Sequence, residues 1–138
     1  MKAARAMSLG ELVGGLPGLR LWGDPATVVG GVAYDSRRVR AGDLFAAIPG
    51  TRADGARFIP QALQAGAAAV LLAEMNGTLP APAVIAPETR AALGLLAARL
   101  AGHPDHQVTL IGITGTNGKT TITYLLESIL RRRAAGRG

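Results

Sequence analysis

The stretch Ile111-Gly112-Ile113-Thr114-Gly115-Thr116-Asn117-Gly118-Lys119-Thr120-Thr121 restricts the possible folds more than any other part of the chain. The apolar run Val108 to Thr114 leads into it and reads as a buried strand. Residues from about Lys119 to Arg133 follow as a helix, with Ile122, Leu125 and Ile129 on one face. Strand, glycine-rich turn and helix in that order make a phosphate cradle. Glycines let the backbone curl until successive N–H groups face one anion. The helix N-terminus adds its partial positive charge. Lys119 is spaced to reach the β and γ phosphates of a nucleotide, and the Thr120 hydroxyl to ligate Mg²⁺. The generic pattern wants glycine five residues before Gly118, where Ile113 stands; the glycines lie instead at Gly112 and Gly115. The alternative is an ordinary β–α turn in which glycine only relieves crowding. Lys119 weighs against it. Of the 15 basic residues only Lys2 and Lys119 are lysine, and a compact ammonium suits a phosphate cradle where a guanidinium fork does not.

The rest of the chain alternates strand and helix signals, which predicts an α/β fold. Ser8 to Leu16 reads as a short helix capped by Ser8 and ended by Gly14-Gly15. Thr27 to Tyr34 and Asp43 to Ile48 read as strands, and Phe58 to Ala65 as a helix stopped by Gly66. Ala67 to Ala73 is continuously apolar, as a strand buried on both faces would be. Ala83 to Ala86 is a further short strand. Pro87-Glu88 then opens a helix, with proline near its first position and an acid in its first turn. Leu93, Leu96 and Leu100 share one face of that helix. Trp22 and Asp24 read as a surface turn without a role.

Composition narrows the function classes. Only 4% of the 138 residues are aromatic while 49% are hydrophobic, so the core is built from aliphatic side chains. Cysteine is absent, which excludes disulfide scaffolds, thiolate metal sites and cysteine nucleophiles. No apolar run reaches membrane-spanning length, and the start lacks a signal-peptide core; a soluble cytoplasmic protein with no membrane partner is expected. The net charge of +6 invites a nucleic-acid reading. Four of those charges, Arg131, Arg132, Arg133 and Arg137, cluster at the end without interleaved aromatics, so a solvated helix terminus is favoured and no nucleic-acid partner is expected. His103 and His106, with only Asp105 nearby, lack a full ligand set and read as linker residues.

The loop Ile113–Thr121 resembles the ATP loop of the Mur ligases, which add amino acids to the UDP-linked precursor of peptidoglycan. Upstream, Asp35-Ser36-Arg37, Ala41-Gly42-Asp43-Leu44-Phe45, Gly50 with Asp54-Gly55, Phe58-Ile59 and Gly66-Ala67 are similar to the N-terminal domain of the MurE and MurF branches. Thr116-Asn117 resembles the MurE branch. The resemblance implies an N-terminal UDP-precursor-binding domain with its linker over residues 1–107. Residues 108–138 would be the first strand, P-loop and helix of a truncated central ATPase domain. It implies ATP as co-substrate, Mg²⁺, an amino acid and UDP-MurNAc-dipeptide as substrates, and a monomeric full-length enzyme. That enzyme would add the third amino acid, meso-diaminopimelate or L-lysine, through an acyl phosphate; this piece alone would be inactive. The alternatives are a MurF-type ligase adding D-Ala-D-Ala and a non-catalytic UDP-sugar-binding module.

Carried over residue by residue, the resemblance assigns ATP to Gly115, Thr116, Asn117, Gly118, Lys119, Thr120 and Thr121. Lys119 is the catalytic residue and Thr120 the Mg²⁺ ligand. The UDP end of the precursor falls to Tyr34, Ser36 and the loop Thr51-Arg52-Ala53. Without the resemblance, Ser36 reads as a turn residue bonding its own backbone. Arg37 reads as structural, paired with Asp35 or Asp43.

Overall fold

The computed structural model describes residues 5–50 and 54–135. The chain divides into two compact units, Met1–Gln107 and Val108–Gly138.

The first unit is built on a five-stranded sheet. Its strands in chain order are β2 (Arg20–Trp22), β4 (Gly31–Ala33), β5 (Asp43–Ala46), β6 (Ala69–Leu72) and β7 (Ala83–Ile85), after β1 (Met7–Ser8) and β3 (Val28–Val29), which pair apart from it. The spatial order is β2-β7-β6-β5-β4. β4, β5, β6 and β7 run parallel; β2 closes one edge antiparallel to β7, with Leu21 opposite Val84. The helices are α1 (Leu9–Val13), α2 (Ile59–Gln64) and α3 (Thr89–Leu100).

Side chains alternate across a strand, and here both faces are covered. Leu44, Ala46, Leu71 and Val84 join Leu9 and Leu12 of α1 and Leu96 and Leu100 of α3 in one core. Phe45, Ala47, Val70, Leu72 and Ile85 join Ile59 and Ala62 of α2 in the other. This is why Ala67–Ala73 is apolar throughout: all four residues of β6 are buried. α1 begins at the expected cap. The Ser8 side chain accepts from the Glu11 N–H at 3.3 Å, and Glu11 accepts in return from the Ser8 N–H at 3.0 Å. At the other end of α1, the Arg99 guanidinium donates to the carbonyls of Glu11, Leu12 and Gly14.

Several expectations change. Thr27 to Tyr34 is two strands: β3 pairs with β1, while β4 joins the main sheet, and Gly30 between them donates its N–H to Gly42. Arg20–Trp22 is an edge strand and Trp22 packs partly buried against the second core, whereas Asp24 does form a turn by accepting from Ala26 N–H. The third helix starts at Thr89, so Pro87 precedes it and its first turn holds no acid; the buried Thr89 hydroxyl donates instead to Ala86 O at 3.0 Å. Leu93 is only partly buried, while Leu96 and Leu100 enter the core.

The second unit holds α4 (Lys119–Ala135) and the segment before it. Val108–Thr114 forms no strand there, which corrects the expectation; Leu110 is 72% exposed. A strand needs a neighbour to receive its N–H and C=O groups, and the described residues of this unit supply none. Ile122, Leu125 and Ile129 lie on α4 as expected but are exposed rather than packed. Among the described residues, no helix is long and apolar enough to cross a membrane.

Candidate functional site

Two candidate sites stand in the two units. The first lies where β4 ends. Asp35 leaves the strand and caps a short 3-10 turn, Ser36–Arg38, by accepting from the Arg37 N–H at 3.0 Å. The Arg37 side chain then closes a fork on the same carboxylate, at 2.9 and 2.7 Å. These bonds to the Arg37 guanidinium, and then to its N–H, hold the Asp35 carboxyl down at about 2. Asp43 takes no part in that pair; its Oδ2 accepts from the Arg40 N–H. The arrangement leaves Tyr34 at 70% exposed and Ser36 at 8%. Asp35 therefore supplies the local turn bond, and Ser36 does not bond its own backbone. Its hydroxyl donates across 25 residues to Gln61 Oε1 on α2, at 2.8 Å.

Tyr34, Asp35, Ser36, Arg37, Phe58 and Gln61 line one cleft of about 480 Å³. Tyr34 and Asp35 also border a larger cleft of about 750 Å³ along the exposed side of β4, which holds Arg38 and Arg40. Exposed aromatic rings, a buried hydroxyl and neighbouring guanidinium groups can take a planar base and an anionic tail. Thr51, Arg52 and Ala53 lie outside the described residues. Among the described residues on either side, Pro49 and Asp54 form a bridge and Gly55 N–H donates to Ile48 O. Gln61, Arg38 and Arg40 carry no sequence signal of a site, and Phe58 is marked only through the Phe58-Ile59 resemblance; nothing in the sequence places α2 beside the turn.

The second site is the turn before α4. Gly115 has φ 150° and Gly118 has φ 78°, and a Cβ on Gly118 would meet nothing within 4 Å, so the surface there is open backbone. The Lys119 ammonium folds back onto the carbonyls of Gly115 and Thr116. Gly115, Thr116, Asn117, Gly118, Lys119, Thr120 and Thr121 thus form one loop and helix start, curled about a cation. The chemistry fits a phosphate: open N–H groups, the positive end of a 17-residue helix and a movable ammonium. For Mg²⁺ the fit is partial. Thr120 offers one exposed hydroxyl at the helix start, and the described residues contain no cluster of three acidic or histidine side chains.

The model of the Mur ligase family, catalytic domain, matches residues 28–101, more than half the chain. The chain belongs to the Mur ligase family. The matched region holds the Tyr34–Gln61 cleft and stops before the Gly115–Thr121 loop. Over 131 residues the chain is 40% identical to the UDP-N-acetylmuramoyl-L-alanyl-D-glutamate--2,6-diaminopimelate ligase of Gloeobacter violaceus, covering 94% of this chain and 27% of that protein. The ligase of the same name from Streptomyces coelicolor is 48% identical over 112 residues, 78% of this chain and 22% of its own. Among solved structures, MurF from Acinetobacter baumannii superposes with a TM-score of 0.72 at 28% identity, over 94% of this chain and 28% of that one. MurF ligase from Thermotoga maritima, solved in complex with ADP, gives 0.52 at 33% identity, over 65% of this chain and 20% of that one. The chain thus spans roughly a quarter of the length of these relatives.

Proposed function

We propose that this chain is the amino-terminal portion of an ATP-dependent ligase that adds 2,6-diaminopimelate to UDP-MurNAc-L-Ala-D-Glu. In this reading the first unit binds the UDP end of the precursor and the second opens the ATP-binding domain. One observation carries it. The 40% identity to a ligase of that name runs over 131 of 138 residues, so it necessarily includes both the Tyr34–Ser36 turn and the Gly115–Thr121 loop. A MurF-type reading rests on structural likeness at 28–33% identity and is weaker.

The chemistry follows from the groups present. A carboxylate is a poor acylating agent, and a phosphoryl group transferred to it from ATP supplies a leaving group that an incoming amine displaces. Negative charge spreads over the transferring phosphoryl oxygens, and the loop answers it with backbone N–H groups and the Lys119 ammonium. Lys119 already rests on the Gly115 and Thr116 carbonyls, so its rotation onto a phosphate exchanges loop contacts for an ion pair. Magnesium would neutralise phosphate charge when bound, and Thr120 would hold it together with groups outside this chain. At the other site, Tyr34 and Ser36 would meet the uracil end, Arg38 and Arg40 the diphosphate, and the Thr51-Arg52-Ala53 segment would complete the contact.

The test uses the full-length ligase. Phosphate release should require UDP-MurNAc-L-Ala-D-Glu, ATP and diaminopimelate together. Lys119→Ala should lower kcat by about 100-fold or more, the scale of losing one main transition-state charge partner. Turnover that instead needs the UDP-tripeptide and D-Ala-D-Ala would replace the proposal by the MurF-type reaction. Unchanged turnover in Lys119→Ala would remove this loop from the mechanism.

A further inference from the structure

We propose that Gln61 is a positioning residue that fixes the Ser36 hydroxyl as an acceptor and thereby makes the cleft select a base with a ring N–H. The inference rests on the reading that the Tyr34–Ser36 cleft takes the nucleoside end of the precursor. It goes further by assigning a residue on another element and a direction to one proton.

A serine hydroxyl has one proton and two lone pairs. Here the proton goes to Gln61 Oε1 at 2.8 Å. What Ser36 can still offer a ligand is a lone pair. A phosphate or carbonyl oxygen would meet oxygen against oxygen at this position, so the group recognised there must be a donor. In a uracil ring the imide N–H is that donor, and the equivalent cytosine nitrogen is an acceptor. Gln61 has spent only its carbonyl. Its two amide N–H groups stay available to a carbonyl flanking the imide, and Gln61 and Ser36 line the same cleft. Ser36 is 8% exposed, and its bond to the exposed Gln61 is part-buried. Tyr34 and Phe58, exposed at the cleft, provide ring faces for the base.

A bond that merely tied the turn to α2 would also join these residues, and the experiment separates the two roles. The 138-residue chain is titrated calorimetrically with UDP and with CDP, as wild type, Ser36→Ala, Gln61→Met, Gln61→Glu and Gln61→Lys, with the thermal midpoint of each recorded. Wild type should favour UDP by about tenfold, the scale of one mispaired polar contact. Gln61→Met frees the hydroxyl to turn, so the preference should fall about tenfold, mainly through tighter CDP binding. Gln61→Glu still accepts the proton and should keep the preference. Gln61→Lys can only donate, so it turns the proton outward and should reverse the preference; it also serves as the second variant if Gln61→Met does not fold. Equal weakening of both nucleotides in Gln61→Met, or an unreversed preference in Gln61→Lys, would overturn the proposal. If either occurs while Ser36→Ala loses UDP, the nucleotide site stands and only the role of Gln61 falls. If Ser36→Ala binds UDP as wild type does, the site itself is wrong and the role of Gln61 goes with it.

Discussion

Gly55→Ala should damage the fold and, with it, the proposed UDP contact, and the distances say by how much. A Cβ built on Gly55 would stand 2.5 Å from Ile48 N, 2.6 Å from Ile48 O and 2.7 Å from Ala47 C. These are backbone atoms just beyond β5, so no side chain can swing aside. Ala47 N donates to Leu71 O at 2.7 Å and Gly55 N to Ile48 O at 3.1 Å, so the strand end is held on both sides. Ordinary carbon contacts lie near 3.5 Å, so one segment must shift by about 1 Å. Overpacking of that kind costs about 1–3 kcal/mol. In a unit of about 100 residues, 2 kcal/mol lowers Tm by roughly 8–16 °C. The bridge between Pro49 and Asp54 should move with it. Thermal unfolding followed by circular dichroism, with UDP titration on the same sample, checks both effects. A Tm within 2 °C of wild type would refute the reasoning from backbone contact. A large Tm loss with unaltered UDP affinity would refute the coupling of this bridge to the proposed UDP contact.

Two further outcomes follow from named contacts. The Asp35 carboxyl is held below its ordinary value of 3.8, at about 2, by the Arg37 side chain and N–H. A depressed folded-state value means that its contribution is present above the ordinary carboxylate pKa and is lost as pH falls through about 2. An NMR titration of Asp35 should show this, and Arg37→Ala should bring the midpoint up; a midpoint unmoved by that change would sink the assignment. Arg99→Met removes the group that caps the end of α1 through three carbonyls while keeping much of the aliphatic stem. It should cost about 1–3 kcal/mol, as for loss of charged hydrogen bonds, measured as a shift in the urea midpoint. A shift below 0.5 kcal/mol would show that water replaces the guanidinium there.

Features that depend on neighbours along the chain were legible before the fold. The capping box at Ser8 and Glu11 spans one turn. The helix over Ile59–Gln64 ends just before the glycine turn at Gly66, which has φ 101°. The continuous apolarity of β6 already implied a strand covered twice. The glycine turn before α4 is legible for the same reason: its glycines and Lys119 are near neighbours, and the turn they make is local. Tertiary structure decided the rest. Whether an apolar run is a strand depends on a partner supplying hydrogen bonds, which is why Ala69–Leu72 is one and Val108–Thr114 is not, although both read alike. Arg20–Trp22 became a strand only because β7 presented a free edge to it. The strand expected over Thr27–Tyr34 divided because two different partners claim its halves. Ser36 is the sharpest instance. Its residue type permits donation or acceptance, and only the arrival of Gln61 from 25 residues away takes up its proton.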